Sequence, residues 1–326
     1  MHTERIQSMS FSGEIKEDLS KITDSSRHCR LAELAAIISG CGQIMIDEDD
    51  RYELEVRTEN VCLARKYYSL VKKLFGIQAA VILRKNEYLT KASTYHLVVD
   101  DHEDAVHILD AVCVLDEDGF VREEVEYSQL ALLKKDCCRR AYIRGAFLAS
   151  GSVSDPQKSY HLEIVCQQKE RAQVLKQVLN ELGMDARIVT RKKNDVVYLK
   201  EGEQIASFLG SIGATRHLFA MENVLILKEM RNNLNRQVNC ETANLNKTVS
   251  AAVRQIEDIR YIEACGEFKN LPQNLREIAE IRLEYPDVSL KELGELLNPP
   301  VGKSGVNHRL RKLGEIAEKL RAAHQI

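Results

Sequence analysis

The feature that most constrains this chain is a duplication. The stretch Ile143-Arg144-Gly145-Ala146-Phe147-Leu148-Ala149-Ser150-Gly151 reads as an apolar helix with small residues at Gly145, Ala146 and Ala149. Far upstream, Leu34-Ala35-Ala36-Ile37-Ile38-Ser39-Gly40-Cys41-Gly42 has the same character. Small residues at helical spacing let a second helix approach closely, and a glycine just past each helix suits a left-handed cap. The likeness runs on around both helices. Cys29-Arg30 answers Cys138-Arg139, Tyr52-Glu53-Leu54-Glu55-Val56 answers Tyr160-His161-Leu162-Glu163-Ile164, and Ala80 to Lys85 answers Arg187 to Lys192. Such a repeat predicts two copies of one unit, joined through their apolar helices into a pseudo-symmetric domain.

Each copy reads as α-β-β-α-β-β-α. An N-terminal helix over residues 12–22, within a segment 1–24, precedes the first copy. In that copy the motif helix covers 26–40, and the acidic turn Asp47-Glu48-Asp49-Asp50 joins two strands as a solvated hairpin. A helix follows over 59–75, then strands over 79–84 and 94–99, then a helix near 103–114. The second copy has strands near Tyr160, Arg187 and Val196, and helices starting at Lys169 and Glu201. The duplicated domain is thus expected over 25–222, with halves 25–130 and 131–222. Each half carries a basic turn, Arg84-Lys85-Asn86 and Arg191-Lys192-Lys193-Asn194. A charged turn is commonly a solvated hairpin tip. The coincidence of the two positions equally suits paired contacts to a DNA backbone.

Residues 223–270 read as a helical linker. A helix is expected up to Arg231, a structured turn over the asparagine-rich stretch 232–247, and helix again over 248–264, because Asn disfavours helix interiors. Arg231, Arg236 and Lys247 can serve as accessory DNA contacts. The neighbouring asparagines read more readily as internal caps.

Residues 271–326 read as a small all-α domain. Pro272 is placed to open a helix and Pro286 to close it. Ser289-Leu290-Lys291-Glu292 is a capping box. The turn Asn298-Pro299-Pro300-Val301-Gly302 precedes a helix that Ser304 can cap, with Val306, Leu310 and Leu313 inward. At helical spacing Ser304, Asn307, His308, Arg311 and Lys312 then face outward, and no acidic residue interrupts Lys303 to Lys312. Three short helices with a basic last one predict a helix-turn-helix over Ser289 to Ala322. Its final helix would enter the major groove, with Lys303, Ser304, Asn307, His308, Arg309, Arg311 and Lys312 as the DNA-binding residues.

Composition narrows the alternatives. The net charge of −3 excludes a uniformly basic binder, but basic residues outnumber acidic ones after residue 222, so the case rests on local patches. No run approaches a membrane span, and no apolar signal core opens the chain, which predicts a cytoplasmic protein. Nine cysteines without a Cys-x-x-Cys pair argue for reduced thiols, against both a disulfide framework and a zinc site. No cofactor, metal or small-molecule substrate is expected.

The duplicated helices resemble the LAGLIDADG motif of homing endonucleases, closely over Ile143 to Gly151 and more loosely over Leu34 to Gly42. With the C-terminal helix-turn-helix, the chain resembles the WhiA family of bacterial DNA-binding regulators from Met9 onward. The most specific stretches are Asn239 to Thr248 and Lys303 to Leu313. The resemblance implies an α+β fold, a duplicated αββαββα LAGLIDADG-like domain joined by a helical linker to an all-α helix-turn-helix domain. It implies double-stranded DNA as partner, with a co-regulator or the transcription machinery as a further one, and a nucleoid-associated place in the cell. It also implies roles in cell division and chromosome segregation, with sporulation in some relatives.

LAGLIDADG nucleases place an acidic residue before each terminal glycine, and the two carboxylates hold divalent metal for phosphodiester hydrolysis. Here those positions are Cys41 and Ser150, neutral groups that cannot replace two charges. Asp47 and Asp155 lie a few residues beyond, where misplacement removes most of their catalytic value. The chain is therefore read as a non-enzymatic, sequence-specific DNA-binding regulator of transcription. The alternative is a nucleoid-associated protein acting on chromosome segregation without promoter control.

Overall fold

A computed structural model describes residues 9–85, 93–122 and 131–323. The chain divides into two compact units after Leu227. In the first, α1 (Phe11–Lys21) precedes two copies of the repeat. The first copy comprises α2 (Arg27–Cys41), β1 (Gly42–Ile46), β2 (Tyr52–Thr58), α3 (Val61–Phe75), β3 (Ala80–Lys85), β4 (Ser93–Val99) and α4 (His102–Ala111). The second comprises α5 (Asp136–Ser150), β5 (Gly151–Val153), β6 (Leu162–Cys166), α6 (Lys169–Glu181), β7 (Arg187–Arg191), β8 (Asn194–Leu199) and α7 (Gly202–Ile212).

The two sheets have the same strand order, β1-β2-β4-β3 and β5-β6-β8-β7, with antiparallel pairing. Their registers coincide as well. Val56 pairs Leu97 as Ile164 pairs Val197, and Arg84 pairs Thr94 as Arg191 pairs Asn194. The sequence repeat is therefore a structural repeat at the level of single residues. Alternation sends Leu54, Val56, Leu97 and Val99 into the core under the helices, and Leu162, Ile164, Val197 and Leu199 do the same in the second copy.

Helices α2 and α5 pack along each other at the centre, with Leu34, Ile37, Ile143 and Phe147 fully buried. The small residues act as expected: a methyl group at Gly40 would stand 2.7 Å from the Ala149 side chain, and one at Gly145 would run into the Glu33 carbonyl. The terminal glycines correct the sequence reading. Gly42 and Gly151 are not left-handed caps but extended, at φ −80° each, and lead straight into β1 and β5. Space requires them, since a Cβ would lie 2.5 Å from the Ile38 carbonyl oxygen at Gly42 and 2.8 Å from that of Phe147 at Gly151.

A buried ionic network that sequence reasoning missed crosses this helix pair. Glu33 of α2, fully buried, accepts from Arg144 Nε of α5 at 2.8 Å and pairs with Lys66 Nζ of α3 at 3.0 Å. Arg144 also bonds Asp24, and Lys66 the Ile22 carbonyl. Burial pushes the Lys66 ammonium below the usual lysine range, and Glu33 opposes that shift.

Helix α8 (Thr215–Ala264) is continuous for 50 residues, so the turn expected over 232–247 is wrong. Asparagine costs only about 0.6 kcal/mol per helical position, and these asparagines are exposed to water. A local side-chain pair supports the helix, with Gln237 donating to Glu241 at 3.0 Å.

The second unit adds α9 (Gln273–Glu284), α10 (Leu290–Glu295) and α11 (Lys303–Ala323). Its core joins Ile259 and Ile262 of α8 to Leu275, Ile278, Leu293, Val306, Leu310 and Leu313. Arg282 is the other feature absent from the sequence reading. Its buried guanidinium, held below the usual arginine range by desolvation, donates to Gln255 Oε1 at 2.9 and 3.0 Å and to the Val288 carbonyl at 2.9 Å. It thereby ties α9 to α8 and to the start of α10.

Candidate nucleic-acid interface

The helix-turn-helix is built locally before it is packed. The capping box is present at the start of α10: Glu292 N–H donates to the Ser289 hydroxyl at 3.4 Å, and Ser289 N–H donates to Glu292 Oε2 at 2.7 Å. That bond holds the Glu292 carboxyl below its ordinary range. The turn after α10 closes on itself, with Val301 N–H donating to the Gly294 carbonyl at 2.9 Å. Val301 approaches so closely that any side chain at position 294 would strike its carbonyl.

Helix α11 begins at Lys303, and the Gly302 carbonyl accepts from Val306 N–H at 3.1 Å. Ser304 is therefore inside the first turn, not its cap, which corrects the sequence reading. The inward and outward assignments agree with the structure. Val306, Leu310 and Leu313 are buried, whereas Lys303, Ser304, Asn307, His308, Arg311 and Lys312 are exposed. Arg309 is half-buried and reaches back to the Asn274 carbonyl at 3.4 Å, so α9 holds it. Arg311 makes one surface pair, Nε to Glu315 Oε1 at 3.4 Å, which is worth at most about 0.5 kcal/mol. Among the described residues, Lys303, Ser304, Asn307, His308 and Lys312 make no side-chain hydrogen bond or ion pair. The far end of α11 is anchored, with Arg321 Nη1 on Asp258 Oδ1 at 2.7 Å. The outward face is thus a set of unengaged polar and basic groups on a helix fixed from behind.

The remaining basic positions fall into two groups. Arg231, Arg236 and Lys247 are exposed on α8, and Arg84 and Lys85 on β3; Asn86 lies outside the described residues. Lys192 and Lys193 form the tip between β7 and β8, Lys192 in the left-handed region at φ 56°. Arg191, however, donates to Glu163 Oε2 at 2.9 Å. Its register equivalent in the first copy is Arg84, and the equivalent of Glu163 is Glu55, which binds Arg57 Nη2 and His96 Nδ1, each at 2.5 Å.

The positions that a LAGLIDADG nuclease fills with carboxylates hold Cys41 and Ser150 in this chain. Cys41 ends α2 with its thiol on the Ile37 carbonyl at 3.2 Å, and burial pushes that thiol up to about 12. Lys16 of α1 lies close enough to interact with it electrostatically, and burial lowers the Lys16 amine to about 8. Asp47 and Asp155 close their own turns instead, Asp47 accepting from Asp49 and Arg51 N–H, and Asp155 from Gln157 N–H, each at 2.9 Å.

Three family descriptions match this chain in order: the WhiA N-terminal LAGLIDADG-like domain over residues 27–115, the WhiA LAGLIDADG-like domain over 139–231 and the WhiA C-terminal HTH domain over 234–317. The chain belongs to the WhiA family. It is 48% identical over 313 residues to the probable cell division protein WhiA of Lachnoclostridium phytofermentans, covering 96% of this chain and 100% of that protein. It is 50% identical over 313 residues to the protein of that description from Alkaliphilus oremlandii, covering 96% and 98%. The crystal structure of full-length DUF199/WhiA from Thermatoga maritima matches with a TM-score of 0.58 at 26% identity, over 95% of this chain and 99% of that one. The expected architecture, a duplicated LAGLIDADG-like domain followed by a helical helix-turn-helix, is that of the family. Among the described residues no helix is long and apolar enough to cross a membrane.

Proposed function

We propose that this WhiA-family chain is a non-enzymatic, sequence-specific DNA-binding regulator that acts in cell division, the process for which its relatives are named. One observation carries the reading: the outward face of α11 presents Lys303, Ser304, Asn307, His308, Arg311 and Lys312, mostly unpaired, on a helix whose other face is locked in a core. Side chains of this kind on a recognition helix read base edges, Arg on guanine and Asn on adenine, while Lys303 and Ser304 at the helix start suit phosphate. Arg84, Lys85, Lys192, Arg231, Arg236 and Lys247 would add contacts to the backbone, which raise affinity without selecting sequence.

The duplicated domain serves as a scaffold without nuclease chemistry. A neutral thiol at Cys41, a hydroxyl at Ser150 and a nearby lysine amine offer magnesium none of the carboxylates it prefers. In this reading the protein works at the nucleoid in the cytoplasm, controls promoters, and acts there with a co-regulator or the transcription machinery.

Crosslinking the protein to the chromosome in growing cells and sequencing the bound DNA tests this directly. Sharp peaks at promoters sharing a motif are expected. Diffuse or gene-body occupancy would instead establish a nucleoid protein acting on chromosome segregation without promoter control.

A further inference from the structure

Two dipeptides that the functional reading leaves unused converge in the first unit. His28-Cys29 lies in the first turn of α2 and Cys137-Cys138 in the first turn of α5. One ligand atom from each of the four residues can be chosen so that all lie within 4.8 Å of one another. His28 Nδ1 is 3.1 Å from Cys138 Sγ and 3.3 Å from Cys29 Sγ. Cys29 and Cys138 are buried, His28 is half-buried and Cys137 is exposed, so the cluster is walled on one side and open to solvent on the other.

Three features of this cluster suit a metal. A tetrahedral zinc site with Zn–S bonds of about 2.3 Å holds its sulfurs about 3.8 Å apart, and side-chain shifts of about 1 Å would bring these four atoms to that spacing. Three thiolates and one imidazole are soft ligands that select zinc-like ions over magnesium. Both dipeptides sit at helix N-termini, whose backbone dipoles favour negative charge, but burial holds the Cys29 and Cys138 thiols above their ordinary range, so it is the bound cation that displaces their protons. The cluster also lies at the opposite end of the α2–α5 pair from Cys41 and Ser150, the ends at which a nuclease would hold its metal.

We propose that His28, Cys29, Cys137 and Cys138 form a Cys₃His site for a thiophilic divalent cation, zinc in the first instance, that clamps the N-terminal ends of α2 and α5. On binding, the three thiols release their protons to solvent, His28 coordinates through a neutral ring nitrogen, and the closed site carries a net charge of −1. The role is structural, since four protein ligands leave no open position for substrate. The clamp joins the two halves of the duplicated domain at the place where the sequence repeat itself supplied a cysteine twice, Cys29 and Cys138.

The test uses the full chain, purified under reducing conditions, loaded with zinc and desalted. Elemental analysis should find one zinc per chain. Cobalt in its place should give thiolate-to-metal charge-transfer bands and the intense visible bands of a tetrahedral site. Cys137→Ser, at an exposed position that folding tolerates, should weaken retention, and Cys137→Ser with Cys138→Ser should abolish it. Cys240→Ser, on exposed α8, should change nothing. Chelation should lower the unfolding temperature of the wild type and leave that of the double variant unmoved. The proposal is overturned if the wild type retains no stoichiometric metal, if the double variant retains as much, or if cobalt binds without charge-transfer bands. It is equally overturned if the reduced preparation carries a Cys29–Cys138 disulfide.

Discussion

The arginines and lysine that lie over the sheets and between the helices of the duplicated domain are in the opposite state to the basic residues on the outward face of α11, although the hairpin residues Arg84, Lys85 and Lys192 are exposed as well. On the sheets, Arg57 is bound to Glu55 and Arg191 to Glu163; the two glutamates are register equivalents, whereas the arginines come from different strands, β2 and β7. Between the helices, Arg144 and Lys66 are bound to Glu33. On α11 the exposed groups from Lys303 to Lys312 are free, apart from one weak pair at Arg311. A cation already matched to a carboxylate has little to gain from phosphate, because the exchange must first break the existing pair. An unpaired cation on a rigid helix gains fully. The contrast assigns architecture to the first region and recognition to the second, although both are charged.

Breaking a buried pair should have the largest effect. Glu33→Gln leaves Lys66 buried without a carboxylate and Arg144 with Asp24 alone, and should cost about 3–5 kcal/mol in urea unfolding of the first unit; a loss below about 1 kcal/mol would show the network to be incidental. Arg282→Ala should cost about 3 kcal/mol, since Gln255 and the Val288 carbonyl lose their donor in a buried place. Hydrogen exchange should locate that loss in α9 to α11, and uniform exchange across the chain would contradict it. Arg311→Ala should weaken specific DNA binding by about 1–3 kcal/mol while leaving unfolding unchanged, the reverse of both preceding variants. Ser289→Ala removes one half of the capping box and should cost about 1 kcal/mol of stability, read by thermal unfolding.

The smallest effect is a pH dependence. Glu55 is held below its ordinary range first by Arg57, and by His96 as well. Its folded value is therefore below its unfolded value of about 4.3. The stability it contributes is fully present above that pH and is lost as pH falls through the folded value. Glu55→Gln should flatten the acid limb of the stability profile; an unaltered limb would show that the pair contributes nothing.

The repeat was legible because self-similarity survives loop changes, and the registers of the two sheets confirm it residue by residue. The inward and outward faces of α11 were legible because helical periodicity fixes them. Local signals with two explanations misled. Gly42 and Gly151 are demanded by crowding and not by a positive φ, and a run of asparagines in α8 is tolerated where water satisfies the side chains. Features assembled from distant residues left no local trace. Glu33, Lys66 and Arg144 meet only in the fold, as do His28-Cys29 and Cys137-Cys138, whose spacing resembles no metal motif.

Which basic residues read DNA separates recognition by α11 from recognition by the duplicated domain. The most direct measurement is the affinity of the full chain for a duplex recovered from chromosome occupancy and for a scrambled duplex, by fluorescence anisotropy at fixed salt. Asn307→Ala with Arg311→Ala should collapse the ratio between the two duplexes, while Arg84→Ala with Arg191→Ala should preserve it and at most weaken both affinities together. The opposite pattern, with specificity kept by the α11 variant and lost by the sheet variant, would place recognition in the duplicated domain and contradict the assignment.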